Sequence, residues 1–365
     1  MIARRTAFKN DLFADAQRAQ KADTFTNPLQ QIEQVVDFRR LADAVEQVAP
    51  RPAQPKGGRP PYPTEVMVRI LVVKRLHGLF DEQTEYQLLD RRSILRFCGL
   101  EHSANVPDRT TIWHFENRIG VDGVEALFAE LDRQIRGHGL EARAGQIVDA
   151  TLVPAPKQHF TKDDKDILEQ DAVPADWKPA KRRQKDTDAR WTKKHGKSYH
   201  GYKFTVSVDR KHKLIRTWIA DTASVHDSQH LGAALDEWNH SAEIYADKGY
   251  VGAEREERLH AQGYRLQIQR KAKKGKPLSA CQERRNRRIA KVRARVEHVF
   301  AAITQWGGKQ IRSIGQARAS FAMGMMVVLC NMRRLAFLAG VLRPKTGVIR
   351  QYAQKQSRNW GQMSI

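Results

Sequence analysis

Three acidic residues lie on or directly after predicted strands and on a predicted helix. A fold that brings these elements together would place the three carboxylates in one catalytic site. Asp149 lies on a predicted strand, Asp247 ends another strand before a glycine-containing turn, and Glu297 lies on a basic helix. Each has a simpler interpretation alone: Asp149 as a turn or cap residue, Asp247 as part of an Asp-Lys-Gly turn, and Glu297 as the surface partner of Arg293. In combination, at strand ends and on a helix, they form a candidate catalytic set.

The chemistry of these three side chains points to a divalent metal. Carboxylates suit Mg²⁺ or Mn²⁺, which prefer oxygen ligands and keep positions open for water and substrate phosphate. Two such ions about 4 Å apart would activate water or a 3′-hydroxyl and stabilise the leaving oxygen of a phosphodiester. The sequence therefore predicts a metal-dependent phosphoryl-transfer site.

The elements that must position the acids alternate between strands and helices. Apolar periodicity predicts strands at 146–153, 202–208, 214–220, 243–247 and 264–269. Helices are predicted at 228–240 and 254–261, followed by the basic helix. That helix has one apolar face, formed by Ile289, Val292, Val296, Val299, Phe300 and Ile303. The order predicts an α/β fold with a mixed sheet.

The chain divides into four predicted regions. Residues 1–62 hold a helix at 32–49 and a linker rich in Pro and Gly; residues 63–140 hold short helices, the first capped by Thr64 and running to about Leu79. These helices fit either a helix-turn-helix DNA reader or an ordinary small bundle. Residues 141–340 form the catalytic domain, with a mobile, protease-sensitive insertion at 157–198, and residues 341–365 form a polar tail.

The charge of the chain indicates a polyanionic partner. The 365 residues carry a net charge of +23, and residues 265–297 hold 13 Lys/Arg against Glu283 and Glu297. Nucleic acid is the commonest such partner, and an anionic membrane surface is disfavoured because no basic amphipathic helix has an exposed aromatic face. Three widely spaced cysteines fit a reducing cytosol, and the apolar run 321–330 predicts a buried core helix.

Several other polar residues are weaker candidates. Asp227 is predicted to cap the helix that follows it, and Lys203 lies on a strand whose DNA-facing side the alternation does not define. Lys248 either contacts a phosphate or is solvated. Four further residues lie at strand ends, at a turn or on the surface of a helix: Asp209, Asp221, His226 and His298.

Three motifs together resemble a known family: Val148-Asp149-Ala150-Thr151, Ala246-Asp247-Lys248-Gly249-Tyr250 and Arg293-Ala294-Arg295-Val296-Glu297-His298-Val299-Phe300. With them the chain is similar to the DDE transposases of bacterial insertion sequences, of the insertion sequence 5 type, over roughly residues 60–338. The similarity extends upstream through Pro107-Asp108-Arg109-Thr110-Thr111-Ile112-Trp113 and downstream through Asn331-Met332-Arg333-Arg334-Leu335.

The resemblance implies an RNase H-like catalytic core with an N-terminal helical DNA-binding region. It implies nicking at the element's ends with Mg²⁺ or Mn²⁺ as cofactor, followed by transfer of the 3′-hydroxyl into target DNA. Asp149, Asp247 and Glu297 match the family's catalytic and metal-binding triad. The implied partners are the terminal inverted repeats, target DNA and a second copy of the chain, in a bacterial cytoplasm at the nucleoid.

The resemblance also bears on DNA contacts. In the family signature, an aromatic residue stands three positions before the arginine that matches Arg293, and a basic residue stands seven positions after the glutamate that matches Glu297. This chain has Ala290 and Thr304 at those two positions. Nearby cations that would substitute are Lys291, Arg295 and Lys309. The complete predicted DNA-binding set is Arg293, Lys248, Lys291, Arg295 and Arg109.

Two alternatives to a transposase stay open at this point. A metal-dependent nuclease would share the three acids but need no reader of specific DNA ends. A non-catalytic DNA-binding derivative would have no need of all three acids, so their presence argues against it. The N-terminal helices and the basic linker favour the transposase over the nuclease.

Overall fold

The computed structural model describes residues 11–25, 27–52, 60–170, 172–194, 196–272, 275 and 277–340. Part of the predicted linker (53–59) and the predicted polar tail (341–365) lie outside the described residues. The first half of the chain is helical, with these elements: α1 (Ala14–Asp23), α2 (Pro28–Glu33), α3 (Phe38–Val48), α4 (Thr64–Leu76), α5 (Asp81–Asp90), α6 (Arg92–Phe97) and α7 (Arg109–Gly137).

Three details of this helical region differ from the sequence predictions. The helix predicted at 32–49 is broken, because Asp37 caps α3 and its backbone exchanges two hydrogen bonds with the Gln134 side chain, at 2.9 and 3.1 Å. Thr64 does not cap α4: Pro63 occupies the N-cap position, and the Thr64 hydroxyl donates to Glu46. The sequence also predicts one short helix from Glu82 to about Leu95, but Arg91 divides this segment into α5 and α6.

The described part of the second half of the chain contains six strands and five α-helices. They are β1 (Gln146–Pro154), α8 (Lys162–Glu169), α9 (Pro179–Gln184), β2 (Arg190–Lys194), β3 (Lys197–Asp209), β4 (Ile215–Thr222), β5 (Glu243–Ala246), α10 (Ala253–Ala261), β6 (Arg265–Ile268), α11 (Ala280–Gln305) and α12 (Gln316–Leu338). The five strands predicted from the sequence are all present, within a few residues at their ends.

These strands form one mixed sheet. Its order is β2-β3-β1-β5-β6, with β4 also paired to β3. The pairs of β3 with β1, β2 and β4 are antiparallel, whereas β1, β5 and β6 run parallel. The predicted α/β class with a mixed sheet is confirmed.

The helix predicted at 228–240 is not formed. A single 3₁₀ turn spans Asp227–His230, and turns follow it. The backbone at Asp236 instead bonds to the side chain of Gln146 on β1, and the Ala234 carbonyl accepts from Thr217 on β4. Tertiary hydrogen bonds thus take the groups that a helix would have used.

The polar segment 157–198 contains secondary structure. Helices α8 and α9 and strand β2 lie in it, and Phe160, Leu168 and Trp177 form a small apolar cluster of their own. The Trp177 indole donates to Asp164 at 2.9 Å. The segment is therefore folded around its own cluster; its predicted sensitivity to protease stays a prediction.

Helix α12 joins the two halves of the molecule. Its apolar side chains contribute to the core of the helical region, where α12 meets α2, α4 and α7, and also to the core beneath the sheet. Asn331 exchanges two hydrogen bonds with the backbone of Ile215 on β4, at 2.9 and 2.8 Å. By length and composition α12 is the one described helix that could cross a membrane, but it is mostly buried here, which confirms the predicted core helix.

Candidate active site

The parallel pairing of β1 and β5 brings two of the predicted acids side by side. Gln146 pairs with Ile244 and Ile147 with Tyr245, so the same register continued by two residues sets Asp149 opposite Asp247. Neighbouring strands lie about 4.8 Å apart, and a step of two residues keeps the same face of the sheet. Ile147 and Tyr245 pack in the core beneath α11. Asp149 and Asp247 therefore both face the basic helix.

Asp149 is the more buried of the two aspartates. Its Oδ1 accepts from the Ala150 N–H at 2.9 Å, and its Oδ2 accepts from the Arg293 guanidinium at 2.7 Å. Burial raises the pKa of Asp149; Arg293 opposes that rise, and the nearby Asp247 adds to it. A carboxylate with a raised pKa beside a second acid is an environment that favours a cation.

Asp247 is held by a tight turn. Its Oδ1 accepts from the Gly249 N–H at 2.7 Å, which starts the 3₁₀ turn Lys248–Tyr250. A Cβ added at Gly249 would lie 2.9 Å from that same oxygen. The glycine of the Asp-Lys-Gly-Tyr motif thus allows the carboxylate to sit directly against the backbone.

Glu297 projects from α11 one turn beyond Arg293. The simpler sequence interpretation paired these two residues with each other. The structure instead pairs Arg293 with Asp149, and Arg293 also donates to Gln269 at 3.0 Å. Glu297 is exposed and makes no ion pair with a described residue. Since residues four apart share a helix face, Glu297 lies on the side of α11 that faces Asp149.

Tyr250 completes the surroundings of the two aspartates. Its side chain is fully buried, and its hydroxyl has no hydrogen-bond partner among the described residues. Burial raises the pKa of Tyr250, and Asp149, Asp227 and Asp247 raise it further. The phenol therefore stays protonated next to three carboxylates, and sequence reasoning had given it no role beyond the motif.

The donors at this site fit a divalent cation in chemistry. Two adjacent carboxylates are oxygen groups of the kind that Mg²⁺ and Mn²⁺ prefer. Within the described residues, however, no three acidic, His or Cys side chains are grouped closely enough to hold one ion. Arg293 occupies one oxygen of Asp149, and Glu297 lies in solvent.

Four secondary candidates from the sequence have defined structural roles. Lys203 is buried and pairs with Asp227 at 2.7 Å, so it does not face outward and Asp227 is not a simple helix cap. His226 takes the capping position of the following turn. The Asp221 carboxylate accepts from His230 Nε2–H at 3.0 Å.

The predicted DNA-binding residues lie on several surfaces. Lys248 and Lys291 are exposed, and Arg109 is exposed at the start of α7, 3.6 Å from Glu82. Arg295 donates to the backbone carbonyl of Arg210. Arg295 is offset by two positions from both Arg293 and Glu297, which places it about 200° around α11 from each.

The positions that depart from the family signature also have defined surroundings. Ala290 is exposed. The Thr304 hydroxyl donates to the Phe300 carbonyl within α11 at 2.7 Å, and Lys309 lies over the Phe300 ring at 5.8 Å. None of these contacts brings Thr304 or Lys309 close to Asp149 or Asp247.

A cavity of about 580 Å³ lies away from the acids, between the helical region and the α11–α12 connection. Phe80, Trp113, Trp306 and Arg312 are among its lining residues, and the Arg312 guanidinium stacks 4.3 Å from the centre of the Phe80 ring. Its position separates it from the carboxylate site.

The geometry defines a carboxylate site on a mixed α/β sheet, faced by a basic helix. Residues 141–332, more than half of the chain, match the family described as the transposase DDE domain. The chain belongs to this family of transposases. Residues 17–118 match a second family, described as a transposase domain (DUF772).

Among solved structures, the chain is similar to a piggyBac transposase in a synaptic complex with hairpin DNA. The TM-score is 0.43 with 11% sequence identity, over 88% of this chain and 76% of that one. A likeness at this level supports no statement about the function of this chain.

Proposed function

We propose that this transposase cuts DNA at the ends of an insertion sequence and joins the freed 3′-hydroxyl to target DNA. The observation that carries the proposal is that Asp149 on β1 and Asp247, directly after the neighbouring parallel strand β5, lie close enough for Asp247 to raise the pKa of Asp149, under the helix that carries Glu297. We further propose that the core is RNase H-like. The antiparallel strands β1, β3 and β4, followed by β5 and β6 parallel to β1, with α11 packed against the sheet, support this assignment.

In this proposal Asp149, Asp247 and Glu297 hold the metal, with Mg²⁺ the expected ion and Mn²⁺ a substitute. The bound ion supplies Lewis acidity for the attacking and leaving oxygens of a phosphodiester. The Gly249 N–H fixes the direction of the Asp247 carboxylate. Arg293 neutralises part of the Asp149 charge and lies where it can pass to a DNA phosphate.

The proposed DNA path uses the basic surface of α11 together with the helical region. The same proposal includes membership of the insertion sequence 5 type, a location at the bacterial nucleoid, and a homodimer that pairs the two ends of the element. It also includes DNA contact through helices α4 to α7. Exposed Arg109 at the start of α7 and the net charge of the chain support a DNA partner.

The test is incubation of the purified protein with labelled DNA that carries the element's own terminal repeats, with Mg²⁺ or with EDTA. We expect metal-dependent nicking at the repeat boundary and joining to a second DNA. Cutting without regard to the repeats would favour the nuclease. Binding without cutting in any metal would favour the non-catalytic derivative.

Replacing Gly249 by Ala is expected to lower cleavage about 10- to 100-fold with little change in the unfolding midpoint. The new methyl group would displace the Asp247 carboxylate from its position, whereas a flexible side-chain end can move at small cost to stability. Cleavage rates and denaturant unfolding measure the two effects separately.

Gly252→Ala is the matched control for this substitution. A Cβ there would meet only the Arg255 guanidinium, at 2.9 Å, and the extended backbone accepts alanine. It should leave cleavage close to wild type. Equal losses in both variants would mean that the turn as a whole, rather than the aspartate, is sensitive.

A further inference from the structure

A second cationic site lies on the other side of α11 from the acids. It is centred on the turn between β3 and β4, residues 210–213. Arg295 from α11 donates to the Arg210 carbonyl, and Arg334 from α12 donates to the His212 carbonyl. Lys211 and Lys213 belong to the turn itself. Four cations from three elements therefore meet at one turn, here named the basic turn cluster (Lys211, Lys213, Arg295 and Arg334).

The acidic side chains beside the turn are already engaged. Asp209 is fully buried, and its two oxygens accept from the backbone N–H groups of Lys211 and His212, both at 3.0 Å. Glu243 pairs with Arg210 at 2.9 Å. Asp209 also lies 2.8 Å from His212 Nδ1 and its charge acts on Arg334, so it offsets one of the four positive charges and the cluster keeps a positive surplus.

Two features of Lys213 are unfavourable: its backbone conformation and the electrostatic environment of its ammonium group. Its φ is +58°, the only positive φ of a non-glycine residue in the part of the chain that the structure describes. Glycine or asparagine would adopt this conformation at lower cost. Burial, Arg334 and Arg295 together hold the pKa of Lys213 below its ordinary value. A lysine kept in an unfavourable conformation among like charges points to a functional requirement.

The cluster cannot serve the phosphodiester at the acids. Arg295 faces about 200° away from Arg293 around a helix some 10 Å across. Along β1, Asp149 is three residues from Gln146, which pairs with Asp209 at the base of the turn. Three residues of strand correspond to about 10 Å. The stretch of polyanion that binds at the cluster is therefore different from the stretch that lies at the acids.

We propose that the basic turn cluster binds backbone phosphates of duplex DNA at a distance from the cutting site. This inference rests on the proposed action on DNA and adds a second contact surface to it. Two arginines fixed by carbonyl hydrogen bonds and two turn lysines present their charges together, as phosphate binding requires. The occupant is either the flank of the DNA being cut or the second duplex that receives the strand.

Lys213→Asn is the central test. We expect it to weaken binding to a short duplex about fivefold to tenfold and to lower the slope of log K against log salt by about 0.9. Asparagine suits the left-handed backbone and removes one like charge, so the unfolding midpoint should stay the same or rise. A merely structural lysine would instead lose stability and leave DNA binding unchanged, and that result would overturn the proposal.

Arg295→Gln is a second test with less risk to folding, because this side chain is exposed. It should reduce affinity and salt slope in the same direction. Arg40→Gln is the control: it removes one exposed arginine charge on α3, outside the helices proposed to contact DNA, that is already paired with Glu130 at 2.9 Å. Wild-type affinity and slope in both Lys213→Asn and Arg295→Gln would also overturn the proposal.

The choice of DNA substrate distinguishes the two occupants of the cluster, which are the flank of the DNA being cut and the second duplex that receives the strand. Lower affinity for the terminal-repeat duplex itself would assign the cluster to its flank. Normal nicking with reduced joining to a second duplex would assign it to the receiving DNA. If these variants lose affinity for anionic phospholipid vesicles and not for DNA, the proposal fails. Binding is measured without cleavage, so a wild-type protein that binds but never cuts would refute only the proposed function.

Discussion

Replacing Asp149 by Asn is expected to lower strand cleavage at least about a thousandfold while DNA binding is retained. Asparagine keeps the size of the side chain and still accepts a hydrogen bond from Arg293, but it loses the charge needed to bind a divalent ion. Asp247→Asn and Glu297→Gln should behave in the same way. Cleavage of labelled terminal-repeat DNA, with binding measured in parallel, provides the measurement.

Asp236→Asn is the matched control for these variants. Asp236 is also a buried aspartate whose pKa is raised by burial, but it lies beside the first residue of β1 and not at the acids. Its amide variant should cut at nearly the wild-type rate. Any of the three site variants that cut as fast as this control would remove that residue from the set of metal ligands.

The second large effect concerns stability. Gly324→Ala is expected to destabilise the protein by about 2 to 3 kcal/mol, because α12 passes too close to its neighbours to admit a methyl group. A Cβ at residue 324 would overlap the buried Val124 side chain on α7 and lie 2.8 Å from the Trp218 ring on β4. Denaturant unfolding followed by tryptophan fluorescence and circular dichroism measures the change.

Gly137→Ala provides the contrast. Residue 137 is also a helical glycine, at the end of α7, and no atom lies within 4 Å of a Cβ built there. Alanine should leave stability unchanged or raise it by up to about 1 kcal/mol. If both alanine variants unfold at the same denaturant concentration, the close approach of α12 to α7 and β4 does not occur in solution.

The sequence contained most of the information about the sheet. Alternating apolar residues located the strands, and the acids at 149 and 247 could be placed on two of them, because period-two patterns depend on local burial. The 3₁₀ turn at Asp227–His230 was missed because Gln146, distant in sequence, takes the hydrogen bonds that a helix would need. Patterns within a short window carry no record of such partners.

The candidate site was predictable in its residue types but not in its contacts. A spacing of four residues suggested that Arg293 pairs with Glu297, yet its partner is Asp149, 144 residues earlier in the chain. The orphaned hydroxyl of Tyr250 and the strain at Lys213 depend on the folded backbone and leave no compositional signal. Once the partner of Arg293 is known, helix geometry places Arg295 on the opposite side of α11 from it.

The position of α12 also sets the order in which the chain can fold during synthesis. Phe321, Met325, Leu329 and Leu335 belong to the core that packs α3, α4 and α7. At a ribosomal rate of about 5–20 residues per second, some 10 to 40 s pass between the completion of α7 and that of α12. During this interval the helical region exposes an unfilled apolar surface. A prematurely terminated chain would keep that surface open and become a substrate for chaperones and proteases rather than a competitor for DNA.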